Sequence, residues 1–163
     1  MGKSRITMTC KLEAKTFDTI HKLQHIQKDD ITKVATTMLD AYKGTVDQQE
    51  NTVEEAIREV EKIVNNGYGP FISEASYWIE LNNEAAAVVC INLWNGRPLI
   101  TEIYTGKNYH RQGLARTLIL ASMNTLFYKG YDEIDLNVTL ENTKALHLYD
   151  SLGFTNLLQK TKN

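Results

Sequence analysis

Seven consecutive residues combine basic and hydrogen-bonding side chains with a single glycine, where a strand-like segment meets a helix-like one. They are His110, Arg111, Gln112, Gly113, Leu114, Ala115 and Arg116. The start of a helix offers unpaired N–H groups and a partial positive charge, and a glycine lets an anion approach them closely. The segment therefore predicts a phosphate-binding turn. It is equally compatible with a tight turn that carries solvated arginines, since short motifs often occur without the function they suggest.

A second segment, NTKALHLYDSLGF at residues 142–154, has the pattern of a short helix. Asn142 is a favourable N-cap, and Ala145, Leu148 and Tyr149 fall on one side of that helix. Both helices are expected to begin at the same edge of a sheet, beside adjacent parallel strands, where ligands of open α/β sheets bind. Taken alone, the segment is also compatible with an ordinary amphipathic helix in which Tyr149 is half-buried.

The rest of the pattern predicts the elements that position these two segments. Apolar residues at helical spacing predict a helix capped by Asp29 or Asp30 and a second one with a Thr52–Glu55 capping box. SYWIEL, AAAVVCINLW and PLITEIYT predict strands, with Asn95–Gly96 as a hairpin turn. EIDLNVT predicts another strand, and TIHKLQHI and FTNLLQK are weaker candidates. Antiparallel strands followed by a parallel strand–helix–strand crossover indicate a mixed α/β sheet.

Together the two segments resemble the diagnostic motifs of the GNAT superfamily of acyl-CoA-dependent N-acetyltransferases. HRQGLA is similar to the family's first motif, which is Gln or Arg, two residues, Gly, one residue, then Gly or Ala. NTKALHLYDSLGF is similar to the second, and the likeness covers about residues 97–156. It implies a central mixed, mostly antiparallel sheet with flanking helices and a splayed pair of parallel strands that hold the coenzyme. His110 departs from the family's Gln or Arg, although an imidazole can still donate a hydrogen bond.

The resemblance also implies a reaction, in which a primary amine attacks acetyl-CoA directly and no acyl-enzyme forms. Tyr149 matches the family's general acid, which protonates the leaving sulfur; its alternative role is a core aromatic. Asn142 matches a residue that contacts the pantetheine arm or simply caps the helix. The remaining coenzyme contacts implied are Ala145, residues 110–116, and the strand backbone at Ile103, Tyr104 and Thr105.

Two further expectations concern the amine. Glu102 is the carboxylate on the strand PLITEIYT and is a candidate base, although we interpret it first as a solvent-facing residue. Acidic and aromatic residues before the sheet would suit a small cationic amine, each being singly compatible with a solvated surface. These acceptor-site candidates are Tyr42, Asp47, Glu50, Glu54, Tyr68 and Glu74.

Composition restricts the remaining function classes. The chain has 163 residues and a net charge of −2, so we expect no nucleic-acid or membrane partner. We predict one domain over residues 16–163 after a loosely ordered extension at residues 1–15, in a cytoplasmic monomer or homodimer. Cys10 and Cys90 match no metal-site spacing, and no metal is expected. The alternative function is a non-catalytic acyl-CoA sensor or interaction module on the same fold.

Overall fold

The computed structural model describes residues 4–158, which contain a seven-stranded mixed sheet. Its strands are β1 (Arg5–Lys11), β2 (Leu23–Gln24), β3 (Tyr77–Leu81), β4 (Glu84–Trp94), β5 (Arg97–Thr105), β6 (Glu133–Thr139) and β7 (Thr155–Asn156). Across the sheet they run in the order β2-β3-β4-β5-β6-β1-β7. All neighbours pair antiparallel except β5 and β6, which are parallel. This confirms the predicted mixed, mostly antiparallel fold.

Four helices cover the two faces of this sheet. They are α1 (Ile31–Tyr42), α2 (Val53–Val64), α3 (Leu114–Tyr128) and α4 (Thr143–Ser151). Buried side chains of α1 and α2 pack against one face, and those of α3 and α4 pack against the other. In β4, Val88 and Cys90 point toward α1 and α2, whereas Val89 and Ile91 point toward α3. A central strand that is apolar on both sides was predicted from its sequence and is confirmed.

The parallel pair β5–β6 separates soon after it begins. Its register contains two pairs, Leu99 with Asp135 and Ile100 with Leu136. Beyond them β5 continues to Thr105 and β6 to Thr139 without pairing to each other. The strands are therefore splayed, as the family resemblance implied, and the gap between them exposes backbone that a ligand can pair with.

The N-terminal segment differs from the prediction. The expected loose extension at residues 1–15 is wrong for residues 5–11, because these form β1. This strand lies between β6 and β7 and pairs with β6 along its whole length, from Arg5 with Thr139 to Lys11 with Glu133. Met8 and Cys10 are buried in the core, so the segment contributes packing as well as hydrogen bonds. The N-terminal strand is thus part of the sheet that carries the splayed pair.

The two weaker strand candidates are mostly not strands. Within TIHKLQHI the structure has a two-residue strand, β2, and within FTNLLQK it has the two-residue strand β7. Residues 159 and 160 of the second candidate lie outside the described residues. Alternation over so few residues is a weak signal, because a short edge strand has little apolar surface to bury.

Helix caps also differ in detail from the prediction. Asp30 stands at the N-cap of α1, but its carboxylate accepts from the Gln27 amide at 2.8 Å instead of capping the helix. In α2 the amide of Glu55 donates to Thr52 Oγ1 at 3.1 Å, as the capping box predicts. The carboxylate of Glu55 then accepts from the amide of Asn51 at 3.1 Å. The start of α2 is therefore fixed one residue further upstream than expected.

Candidate active site

Two cavities open where β5 and β6 part, and they meet at a shared wall. The larger cavity has a volume of about 560 Å³, which is in the usual range for a small-molecule site, and the smaller has about 190 Å³. Five residues line both cavities: Tyr42, Asp47, Ile103, Asn142 and Tyr149. A group that reaches from one cavity into the other therefore passes these five residues.

The turn before α3 bounds the larger cavity, which residues 110–116 all line. Arg111 and Gly113 have left-handed backbone conformations, with φ of +66° and +72°. Gly113 is the N-cap of α3, and no side chain caps that helix. The first N–H groups of α3 consequently have no intrahelical acceptor and carry the positive end of the helix dipole. A Cβ on Gly113 would meet no atom within 4 Å, so the space in front of these groups is open to an anion.

The basic side chains of this turn have different surroundings. Arg116 Nη1 donates to Ser151 Oγ at 3.0 Å and so connects the turn to the end of α4. His110 Nε2 donates to the carbonyl oxygen of Thr105 at 3.2 Å, which fixes the turn against the end of β5. The exposed guanidinium of Arg111 has no hydrogen-bond partner among the described residues. It is therefore the turn's most available donor for a phosphate oxygen.

The end of β5 forms one wall of the larger cavity through Ile103, Tyr104 and Thr105. Tyr104 is buried, and its hydroxyl donates to the carbonyl oxygen of Val34 in α1 at 2.8 Å. That hydroxyl is therefore unavailable to a ligand. Because β6 does not pair with this part of β5, the backbone of the three residues can pair with an extended ligand arm instead.

Asn142 joins α4 to the connection between α1 and α2. Its side-chain oxygen accepts from the amide of Ala145 at 3.2 Å, which makes it the N-cap of α4. Its side-chain nitrogen donates to Asp47 Oδ2 at 3.2 Å, and Thr139 Oγ1 donates to Asp47 Oδ1 at 2.7 Å. Of the two roles that the sequence left open for Asn142, the cap is the one that the structure contains. Ala145 itself lines the larger cavity.

Tyr149 lies at the junction of the two cavities. Its side chain is 7% exposed and packs edge-on against Phe154, with the ring centroids 5.9 Å apart. The hydroxyl has no hydrogen-bond partner among the described residues. Burial raises the pKa of this phenol, and the negative charges of Asp47 and Glu102 raise it further. The hydroxyl is therefore a protonated donor that faces the shared space.

Glu102 was interpreted from the sequence as solvent-facing, and that interpretation is wrong. The side chain is half-buried and lines the smaller cavity, where Tyr42 donates from its hydroxyl to Glu102 Oε1 at 2.8 Å. Loss of water around the carboxylate raises its pKa to about 8, and the Tyr42 hydrogen bond partly opposes that increase. The nearby charges of Glu59 and Glu50 raise the pKa further. A carboxylate with this pKa is suited to accept a proton near neutral pH.

Only part of the predicted acceptor site lies at these cavities. Tyr42, Asp47 and Glu50 do, but Glu54, Tyr68 and Glu74 line neither cavity. Glu54 is exposed in the first turn of α2, and Tyr68 donates to Glu59 Oε2 at 2.7 Å. Glu74 is engaged in an ion pair of 2.6 Å at the end of α3, with Lys129. Acidic or aromatic character alone did not distinguish cavity residues from surface residues.

Sequence reasoning missed most of the smaller cavity. The lining residues that were not predicted include Arg5, Gln49, Asn137 and Thr139, from β1, the α1–α2 connection and β6. Arg5 and Thr139 are opposite each other in the β1–β6 register, although they are far apart in the sequence. The alternating apolar residues of EIDLNVT predicted β6, whereas β1 was not predicted from the sequence.

Within residues 4–158, no group of three or more His, Cys, Asp and Glu side chains is arranged to hold a metal ion. None of the helices in that range is both long enough and apolar enough to cross a bilayer.

Known structures have the same fold. A GCN5-related N-acetyltransferase from Sphaerobacter thermophilus superposes with a TM-score of 0.73 at 13% identity, over 93% of this chain and 48% of that one. The ribosomal-protein-S18-alanine N-acetyltransferase from Escherichia coli gives 0.66 at 18% identity, over 83% and 78%. AAC(6')-Iy, solved with the bisubstrate analogue CoA-S-monomethyl-acetylneamine, gives 0.64 at 16% identity, over 85% and 92%.

The family is established by sequence as well as by fold. The chain spans 59% of the length of a GNAT-family structure from Novosphingobium aromaticivorans and, as above, about half of the Sphaerobacter protein. No curated protein has significant sequence similarity to it. The model of the Acetyltransferase (GNAT) family, however, matches residues 37–154, a range that contains all five residues shared by the two cavities. The chain therefore belongs to the GNAT family of acetyltransferases.

Proposed function

We propose that the protein transfers the acetyl group of acetyl-CoA to a primary amine, by direct attack and without an acyl-enzyme. The observation that carries this proposal is the position of Tyr149. Its hydroxyl faces the space where a large cavity with an anion-binding turn meets a small polar one. A donor at that junction is where a thiolate leaving group needs its proton.

The larger cavity fits the coenzyme. Its volume of about 560 Å³ and its open turn are suited to a diphosphate attached to a narrow arm. The diphosphate would bind to the backbone N–H groups of residues 112–116, with Arg111 adding a charge-assisted contact. The arm would lie along Ile103, Tyr104 and Thr105 as an added strand, reaching past Asn142 and Ala145 toward Tyr149.

Two side chains would handle the protons of the reaction. Acetyl-CoA supplies an acyl group activated as a thioester. Glu102 accepts a proton from the amine, whose nitrogen forms the new C–N bond to the carbonyl carbon. Tyr149 donates its proton to the sulfur as the C–S bond breaks, and it regains a proton from solvent afterwards. Above about pH 8 an ionised Glu102 and a protonated Tyr149 coexist, because the phenol has the higher pKa.

A thiol-release assay with acetyl-CoA and a panel of primary amines tests the proposal. The panel should include aliphatic amines, amino acids, aminoglycosides and peptides. At least one amine should accelerate release, and Tyr149→Phe should lower kcat by about 100-fold while coenzyme affinity stays similar. Tyr128→Phe, at an exposed position on α3, is the matched control and should leave kcat unchanged.

Two outcomes would contradict this function. If calorimetry detects acetyl-CoA binding but no amine accelerates thiol release, the protein is an acyl-CoA sensor. If Tyr149→Phe retains full kcat with an accepted amine, the phenol is a packing residue and another group protonates the sulfur.

A further inference from the structure

The size of the smaller cavity limits what an amine can place beside Tyr149. Its volume of about 190 Å³ is smaller than the roughly 560 Å³ of the larger cavity and below the usual range for drug-sized ligands. A small cavity favours a short aliphatic chain with a functional group at each end. The cavity is therefore suited to one narrow chain rather than to a ring system.

The smaller cavity is lined by more acidic than basic side chains, and the acidic side chains differ in their hydrogen-bond partners. Asp47, Glu50 and Glu102 line it, and Arg5 is the one cation among its described lining residues. Asp47 accepts hydrogen bonds from Thr139 and Asn142, and Glu102 accepts one from Tyr42. Glu50 forms no ion pair with any described residue. Its carboxylate is the available negative charge in the cavity.

The effect of this unpaired charge is visible on neighbouring groups. Partial burial raises the pKa of Glu50, a backbone hydrogen bond partly opposes that increase, and repulsion from Glu59 and Glu55 adds to it. The charge of Glu50 in turn raises the pKa of Glu102 and of Tyr104. A cation placed beside Glu50 would relieve this repulsion. Arg5 is exposed at the start of β1 and only weakly opposes the increase at Glu102.

We propose that the acceptor is a short aliphatic diamine, and this inference rests on the proposed acetyl transfer. One amino group lies between Glu102 and Tyr149 and is acetylated. The other remains a protonated ammonium and pairs with Glu50 at the opposite end of the chain. The small volume of the cavity favours a short chain, and the carboxylate of Glu50, which has no ion-pair partner among the described residues, favours a second positive charge.

Three amines of matched length test the inference with acetyl-CoA. They are 1,4-diaminobutane, 1-aminopentane, in which a methyl group replaces the distal ammonium, and 5-aminopentanoate, in which a carboxylate does. The diamine should have a kcat/KM at least about tenfold above that of the monoamine, since a charge-assisted contact is worth about that factor. Glu50→Gln should remove this difference between diamine and monoamine, and a circular dichroism spectrum like that of the parent would show that the variant folds. Glu61→Gln, an exposed charge change on α2, should preserve the difference.

Several results would overturn the inference while leaving acetyl transfer intact. The monoamine could match the diamine, or Glu61→Gln could reduce the preference as much as Glu50→Gln does. A preference for 5-aminopentanoate would indicate that the acceptor is zwitterionic and that Arg5 binds its carboxylate. Failure of all three amines, with another amine of the wider panel accepted, would also exclude a diamine. Only the failure of every amine would reject the proposed function itself.

Discussion

Tyr149 and Glu102 illustrate how one environment prepares an acid and a base. Tyr149 is buried where the two cavities meet and Glu102 is half-buried in the smaller one, and loss of hydration raises the pKa of each. For a phenol this keeps the proton in place, whereas for a carboxylate it brings the pKa to about 8. The same physical cause therefore produces a donor for the sulfur and an acceptor for the amine proton.

The pH dependence of the reaction follows from Glu102. If the ionised carboxylate is the base, kcat/KM should rise with pH along a limb near pH 8. Glu102→Gln should lower kcat by about 100-fold and remove the limb. Tyr42→Phe should move the limb to higher pH, because the lost hydrogen bond is one that lowers this pKa. Rate profiles of the three proteins between pH 6 and pH 10 check this, and an unchanged limb in Glu102→Gln would assign the base to water.

Thermal stability provides the control for that experiment. The pKa of Glu102 is higher in the folded chain than the ordinary value of 4.5, so its contribution to stability is fully present at low pH. That contribution is lost as pH rises through about 8, because the ionised carboxylate is poorly hydrated. Glu102→Gln should therefore have a higher Tm than the parent at pH 9, with a smaller difference at pH 5. Lower activity with a higher Tm would exclude unfolding as the cause.

At the scale of elements, the connection between α1 and α2 is important because it closes one side of the splayed strands. Asp47 in this connection accepts from Thr139 at the end of β6 and from Asn142 at the start of α4. Asn142 in turn caps the helix that carries Tyr149. One carboxylate thus joins three elements around the wall shared by the two cavities.

Asp47→Ala should weaken both binding and positioning. It leaves the Asn142 amide without its acceptor and frees the connection, at a cost of about 1–3 kcal/mol. We expect a Tm lower by several degrees and a kcat/KM lower by about tenfold. Thr139→Val removes only one of the two hydrogen bonds and should have an intermediate effect. Parent-like kinetics in Asp47→Ala would show that the connection is held by other contacts.

Helices and strands were predictable where the periodicity of apolar residues agrees with nearby turn and cap residues. The helices α1 to α4 and the strands β3 to β6 follow from apolar periodicity, Asn95–Gly96 and favourable caps. The strand β1 was missed because six of its seven residues are polar or sulfur-containing. Its Ile6, Thr7 and Thr9 are β-branched and were the available signal.

Only the part of the candidate site at the larger cavity was predictable, because its residues belong to local sequence motifs. The turn at residues 110–116 and the cap at Asn142 are local, so their spacing was sufficient to place them at one cavity. The smaller cavity combines Arg5, Glu50 and Asn137, whose proximity depends on the strand order of the sheet. Burial of Glu102 also depends on that order, and a single sequence does not reveal it.

On the scale of the whole molecule, the sheet separates two helical layers and opens at one place. The helices α1 and α2 cover one face and α3 and α4 cover the other. Because β5 and β6 part after two residue pairs, elements of both layers reach the same gap. The coenzyme and the amine would therefore meet at a position that no single layer forms. This is the central claim, and it depends on the diphosphate binding at the start of α3.

A crystal structure of the protein with coenzyme A tests that claim most directly. The account predicts diphosphate oxygens within hydrogen-bond distance of the backbone N–H groups of residues 112–116, with the sulfur next to the Tyr149 hydroxyl. Gly113→Glu, which places a like charge in the open space before the turn, should show no coenzyme density under the same conditions. Coenzyme bound elsewhere, or bound normally in Gly113→Glu, would contradict the account.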